Sequence, residues 1–151
     1  MATHNPEKLK GKLVEHAKDF PLFKLMGVEL VDFGPRWSTT RIAHRQELCN
    51  PNGVIHGGVV AFLMDQGITQ AMLMTDEYQR EVREGGGFMT TIDLRVRYLR
   101  PLTGGTMTCE AKIPHLGRRV IHAEAVIKND DGKEIALAES IVTLVAGKKK
   151  A

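Results

Sequence analysis

The sequence predicts an α+β fold in which an antiparallel sheet curves around one long helix. Residues Gly58 to Met74 form a stretch of helical length whose apolar side chains fall on every side of the helix. Several β-rich runs separated by glycine-containing turns follow it. Because one face of a flat sheet cannot cover the circumference of such a helix, we expect the sheet to curl around it and a second subunit to cover the remainder.

Shorter elements are predicted before the long helix. Pro6 to Phe20 has the apolar spacing of a helix, and Pro21 follows where that helix should end. Two strands, Val28 to Phe33 and Ser38 to His44, are predicted on either side of the turn-forming sequence GPRW.

A four-stranded meander is predicted after the long helix. In its first strand every second residue is apolar, at Ile92, Leu94, Val96 and Tyr98. The next strands cover Met107 to Ile113, Val120 to Ile127 and Glu134 to Val145. Turn-forming pairs precede these three strands, at Gly104-Gly105, Gly117-Arg118 and Asp131-Gly132.

Length and composition indicate one globular domain. The chain has 151 residues, 42% of them hydrophobic, so we expect a single domain over 1–151 with a lead-in helix at about 6–20 and a basic tail at 147–151. A net charge of +3 and only 5% aromatic residues disfavour nucleic acid as a partner.

Location, metals and cysteines are also constrained. The sequence has neither the apolar core of a secretory signal nor a run of about 18 apolar residues, so we expect a cytoplasmic protein with no membrane partner. Cys49 and Cys109 are isolated, which indicates reduced thiols. The six histidines lack metal-ligand spacing, and we expect no metal site.

Asp65 is the one formally charged side chain between Leu48 and Thr75. It follows Gly58 by two helical turns and therefore lies on the same face of the helix. Burying a carboxylate without hydrogen bonds is costly, and a carboxylate held in such a position is suited to general-base catalysis. The structural alternative is an ion pair with a lysine or arginine at an interface.

A resemblance rests on motifs in a fixed order: Asn50, GVIHGG at Gly53 to Gly58, Asp65, TID at Thr91 to Asp93, LRP at Leu99 to Pro101 and HLGR at His115 to Arg118. Together they resemble the hotdog-fold acyl-CoA thioesterases, most closely the phenylacetate-pathway type that acts on phenylacetyl-CoA or hydroxybenzoyl-CoA. The resemblance covers roughly Gly27 to Val145. It implies an acyl-CoA substrate, no cofactor, and a homo-oligomer, either a dimer with joined sheets or a tetramer, with active sites between subunits.

The resemblance also implies roles for individual residues. The Gly57 N–H and the Asn50 amide hold the thioester carbonyl, although an ordinary loop and turn would explain both residues structurally. Asp65, taken from the same or the other subunit, activates water with help from Thr91. His56 has a supporting role in orienting the loop or the substrate.

Two assignments stay open at this point. Strict alternation places Thr90 with the apolar face of its strand and Thr91 on the other face, so Thr90 is the alternate unless a β-bulge intervenes. The substrate-binding set is Gly58 with a cationic rim for coenzyme A phosphates, formed by Arg100, Arg118 and Arg119, with Gly117 giving a tight turn. Solvated surface arginines are the simpler explanation of that rim.

Rival functions remain in the same fold. A hydratase or dehydratase would need a histidine and an acid over C2 and C3 of the acyl group, and a non-catalytic acyl-CoA-binding protein would not use the carboxylate. The sequence does not separate an aryl from a medium-chain acyl group. It also does not separate general-base catalysis from attack by Asp65 through an anhydride.

Overall fold

Two helices and two strands precede the long helix. The computed structural model describes residues 6 to 147, and the basic run Lys148 to Lys150 lies outside them. The elements are α1 (Pro6–Asp19), α2 (Pro21–Met26), β1 (Val28–Gly34) and β2 (Trp37–Ala43). The predicted lead-in helix ends as expected, but Pro21 begins a second helix because proline fits the first helical position.

The long helix α3 covers Gly57–Met72, close to the predicted Gly58 to Met74. Gly58 is its one exposed residue, and Leu63, Met64 and Ile68 have no exposed surface. A short 3₁₀ turn, Gln46–Leu48, precedes the helix. After it, α4 (Asp76–Tyr78) continues as a π-helical segment at Gln79–Glu84. No helix within residues 6 to 147 is both long enough and apolar enough to cross a bilayer.

The described part of the chain forms one antiparallel six-stranded sheet. Its later strands are β3 (Phe88–Tyr98), β4 (Thr106–Leu116), β5 (Ile121–Lys128) and β6 (Glu134–Val145). The strand order across the sheet is β1-β2-β4-β5-β6-β3, so β1 and β3 are the edges.

The predicted meander is wrong for β3. Instead of forming a hairpin with β4 through Gly104-Gly105, β3 pairs with β6 at the far edge of the sheet. The chain after β3 crosses the sheet, and its backbone bonds mark the path: Leu99 N–H donates to Ile135, Leu102 C=O accepts from Ile55, and Gly105 C=O accepts from His44 beside β2. A connection that crosses the two strands β6 and β5 cannot be a tight hairpin.

A β-bulge interrupts the alternation predicted for β3. Thr91 pairs with Val142 and Asp93 pairs with Ile141, so Ile92 has no partner of its own. Ile92 is 63% exposed, which contradicts its predicted place on the buried face. Because of this extra residue, the side chains before Ile92 lie on the opposite sides of the sheet from those that strict alternation predicts. Thr91 is therefore half-buried and Thr90 is exposed.

Gly67 sets the approach of α3 to the sheet. Its carbonyl accepts a 2.6 Å hydrogen bond from the buried Ser38 hydroxyl on β2. A Cβ at this position would lie 2.9 Å from the Cys109 Sγ on β4. Cys109 is a free, fully buried thiol, and burial raises its pKa to about 12. The helix therefore contacts both strands through its backbone.

We predict that Gly67→Leu lowers the free energy of unfolding by about 1–3 kcal/mol, because the added atoms overpack the helix–sheet contact. The matched control is Gly11→Leu in α1, where a Cβ would meet nothing within 4 Å. That change should stabilise the protein by up to about 1 kcal/mol through helix propensity. Equal unfolding midpoints of the two variants in urea would contradict this account.

Candidate active site

His56 caps the N-terminus of α3. Its ring Nδ1 accepts a 2.9 Å hydrogen bond from the Gly58 N–H, and the backbone N–H of His56 donates to the Leu48 carbonyl. A ring nitrogen that accepts carries no proton, so the neutral ring is protonated at Nε2. The contact is that of an N-cap residue. This contact occupies the Gly58 N–H, and the expected supporting role of His56 stays a prediction.

Gly57 supplies the free donor at this helix end. The N–H groups of Val59 and Val60 both reach the His56 carbonyl. The Gly57 N–H has no hydrogen-bond partner within residues 6 to 147. Unpaired N–H groups of a first helical turn are available to an anion or a polarised carbonyl.

Tyr98 fixes the same helix end from β3. Its hydroxyl donates a 2.9 Å hydrogen bond to the Gly57 carbonyl, and a Cβ at Gly57 would lie 3.3 Å from its ring. The sequence placed Tyr98 only as an apolar strand position. Its role was missed because residues 57 and 98 are brought together by the fold, and no local pattern signals the contact.

Asn50 forms the turn before the helix. Its Oδ1 accepts hydrogen bonds from the N–H groups of Asn52 at 2.9 Å and Val54 at 3.2 Å. This is the turn role that an Asn ahead of proline favours. The side-chain NH₂ makes no hydrogen bond with the described residues and remains available as a donor.

Asp65 is half-buried and held from β3. Its Oδ1 accepts a 2.6 Å hydrogen bond from the Thr91 hydroxyl, while Gln66 Nε2 lies 3.5 Å from Oδ2, at the limit of such a bond. No lysine or arginine within residues 6 to 147 lies within 4.0 Å of this carboxylate. The ion pair considered from the sequence is therefore absent from the described part of a single protomer.

One protomer does not bring Asp65 and Gly57 together. They are eight residues apart in α3, which corresponds to about 12 Å along the helix axis. Reacting atoms in a productive complex are about 3–3.5 Å apart. The free donor and the carboxylate of one chain thus lie too far apart to act on the same carbonyl group.

The predicted cationic rim is divided between two places. Arg118 and Arg119 are exposed in the β4–β5 turn, where a Cβ on Gly117 would lie 2.4 Å from the Val120 carbonyl oxygen. Cross-strand pairing aligns Leu116, Ile121, Val142 and Thr91 in one row. The turn is therefore level with Thr91, three strand spacings or about 14 Å away.

Arg100 lies at the opposite end of β3. Arg100 is two residues after Tyr98, and its Nη1 donates a 2.7 Å hydrogen bond to the Glu134 carbonyl. Thr91 and Tyr98 are separated by about 23 Å of extended strand. Within one protomer, the structure does not bring Arg100 together with Arg118.

Comparisons with known proteins agree with this architecture. Medium/long-chain acyl-CoA thioesterase YigI of Escherichia coli strain K12 is 24% identical over 151 aligned positions, covering 93% of each chain. Two solved structures share the fold. Thioesterase HI1161 of Haemophilus influenzae has a TM-score of 0.77 at 19% identity and covers 93% of this chain and 94% of its own. The E. coli PaaI protein from the phenylacetic acid degradation operon has a TM-score of 0.78 at 17% identity, covering 94% and 96%.

The family itself is identified by the central part of the sequence. Residues 52–136 match the sequence model described as the thioesterase superfamily. That stretch is more than half of the chain and contains His56, Gly57, Asp65 and Thr91. The resemblance drawn from the sequence motifs is confirmed at this level: the chain belongs to the thioesterase superfamily, has the hotdog fold and is a thioester hydrolase.

Proposed function

We propose that the protein hydrolyses acyl-CoA to a free acid and coenzyme A, in a site that two protomers share. The observation that carries this proposal is the half-buried Asp65 carboxylate, held by Thr91 and without a cationic partner in the described chain. A carboxylate oriented in this way is suited to accept a proton from water. The acyl-CoA class is further supported by the name of the relative YigI.

In the proposed reaction, the Gly57 N–H and the Asn50 side-chain NH₂ donate to the thioester carbonyl oxygen. Asp65 takes a proton from a water molecule, whose oxygen bonds to the carbonyl carbon. The two donors stabilise the negative charge that develops on the carbonyl oxygen. The C–S bond then breaks, and the proton on Asp65 passes to the departing thiolate of coenzyme A. These steps need no cofactor.

The distance along α3 requires the donor and the base to come from different protomers. If two copies of α3 lie antiparallel across a twofold axis, Gly57 of each copy approaches Asp65 of the other. The edge strand β3 offers a surface for such pairing, since Phe88 is 57% and Ile92 is 63% exposed on it. We therefore propose a homodimer as the smallest active unit, with tetramers built from such dimers.

The coenzyme A part is proposed to extend toward the β4–β5 turn. Arg118 and Arg119 are exposed there, level with Thr91, and make no side-chain ion pair with the described residues. Guanidinium groups bind phosphate in a bidentate manner. Arg100 is the weaker candidate because its side chain already binds the Glu134 carbonyl.

Asp65→Asn tests the base directly. The amide keeps the shape of the side chain and removes the proton acceptor, so kcat for acyl-CoA should fall by about 10²- to 10⁴-fold. The melting temperature should be unchanged or slightly raised, since no buried cation in the described chain loses a partner. Asp131→Asn, at an exposed turn, serves as the control. An early-melting Asp65→Asn variant with near-normal turnover would exclude the catalytic assignment.

Thr91→Val should lower kcat by about 10- to 100-fold, because it removes a hydrogen bond to a charged group worth about 1.5–3 kcal/mol. Thr90→Val is the matched control, since Thr90 is the exposed neighbour on the same strand. Steady-state kinetics of the two variants should differ clearly. Equal losses would mean that the strand, and not the contact to Asp65, matters.

A mixing experiment tests the shared site. Gly57→Pro removes the free N–H, and proline suits this first helical position because His56 before it is extended, with φ −60° and ψ 136°. Gly57→Ala adds a Cβ and keeps the N–H, so it should lose far less kcat than the roughly 10²- to 10³-fold expected for proline.

Heterodimers of Gly57→Pro and Asp65→Asn protomers contain one intact site and one doubly altered site if each site spans two chains. Random reassociation should then restore about a quarter of wild-type activity from two nearly inactive preparations. If the donor and the base came from one chain, every site in the mixture would carry one of the changes and no activity would return.

A further inference from the structure

A cavity of about 600 Å³ lies between α1 and the second half of α3. Its volume is within the range of about 300–1,000 Å³ that is typical of small-molecule sites. One part of its lining is apolar, and the other part is polar or basic. The Asp65 carboxylate does not belong to the lining, so this cavity is distinct from the reacting group of the proposed hydrolysis.

Among the described residues that line the cavity, three are basic and none is acidic. Lys12 and His16 lie one helical turn apart on α1, and Arg83 lies in the π-helical segment. These three side chains form no ion pair with residues 6 to 147, and Arg83 donates a 3.2 Å hydrogen bond to the neutral Gln79. The cavity therefore has basic groups without a matching anion in the described chain.

Gln70 adds a buried amide to this lining. The residue is 7% exposed, and its side chain makes no hydrogen bond with the described residues. Burial of an amide without a hydrogen-bond partner is unfavourable, so such a group in a cavity wall indicates a missing partner. Gln66, one turn earlier on the same face of α3, also lines the cavity. The α3 side of the cavity thus offers amide donors.

The rest of the lining is apolar and partly aromatic. The rings of Phe20 and Phe23 lie with their centroids 5.1 Å apart and tilted by 54°, and Leu13 and Leu73 belong to the same wall. Burial raises the pKa of the Tyr78 phenol, so its hydroxyl stays protonated at neutral pH. An inorganic anion would leave this wall uncovered, whereas an apolar body would remove it from water.

We infer that this cavity binds a small organic anion that has one charged head group and an apolar body. The head group lies against the basic side chains and accepts a hydrogen bond from the Gln70 amide, while the body packs against the aromatic wall. One ligand of this class supplies both the missing anion and the missing hydrogen-bond partner. The inference does not depend on the hydrolysis proposed above, because the site does not use Asp65.

Two fluorescent probes with the same rings test the basic groups. 8-Anilino-1-naphthalenesulfonate carries a sulfonate, and N-phenyl-1-naphthylamine carries no charge. In titrations of the full chain, Lys12→Gln and Arg83→Gln should each weaken sulfonate binding by about 3- to 10-fold and change binding of the neutral probe by less than about twofold. The matched controls are Lys18→Gln and Arg80→Gln, at exposed positions outside the lining. Both controls should bind the sulfonate as wild type does.

Gln70→Leu tests the buried amide. The change keeps the approximate size of the side chain and removes its polar atoms, so sulfonate binding should weaken by about 3- to 10-fold while the neutral probe binds equally or more tightly. The unfolding midpoint should not fall, because no hydrogen bond within the described chain is lost. If this variant does not fold, the Lys12 and Arg83 variants decide, since both positions are exposed.

A competition experiment separates this cavity from the proposed active site. Saturating octyl-CoA thioether, which cannot be hydrolysed, should leave the affinity for the sulfonate within about twofold of its value without the thioether. Displacement of the sulfonate would overturn the inference, and so would equal sulfonate binding by wild type and all three cavity variants. If wild type hydrolyses no acyl-CoA, the proposed function fails, and the probe titrations still decide the cavity assignment.

Discussion

The helix α3 is apolar around nearly its whole circumference, and the fold is arranged to enclose it. A sheet of six strands covers part of its surface, and a cavity of about 600 Å³ separates its C-terminal half from α1. A close contact is made through Gly67, whose carbonyl accepts a hydrogen bond from Ser38 and whose missing Cβ leaves space for Cys109. Dense packing of this kind leaves few positions where a charged group can be placed.

Asp65 occupies one of those positions. It faces the edge strand β3 and not the centre of the sheet, and it obtains a hydrogen bond there because the bulge at Ile92 turns Thr91 toward the helix. The same edge leaves Phe88 and Ile92 exposed for a second copy of the chain. The proposed proton acceptor and the proposed subunit contact thus depend on one local irregularity in one strand.

The sequence predicted those features that depend on local spacing. The lead-in helix, α3 and the four later strands follow from periods of about 3.6 and 2 residues and from turn-forming pairs. It also brought Thr91 forward through its motif, although strict alternation favoured Thr90. Short-range patterns were sufficient for these elements because each is stabilised largely by its own neighbours.

The errors concern contacts between distant parts of the chain. The pairing of β3 with β6, the bulge at Ile92 and the contact of Tyr98 with Gly57 all join residues 38 or more positions apart. Proximity in sequence favoured a β3–β4 hairpin, but burial of α3 is better served when β3 closes the far edge of the sheet. The cavity beside α1 is likewise a space between elements, and no local pattern encodes it.

The place of β3 in the sheet also has a consequence for the order of folding. Its sole described strand partner, β6, is the last strand in the sequence, so Thr91 must wait for residues near Val142 before it is fixed. Contacts of such long sequence separation form slowly because loop closure precedes any gain from pairing. During synthesis on the ribosome, β3, which carries Phe88 and Ile92, therefore stays unpaired with β6 until the residues of β6 have emerged. The Thr91 contact that orients the Asp65 carboxylate is then fixed only after β6 has paired with β3.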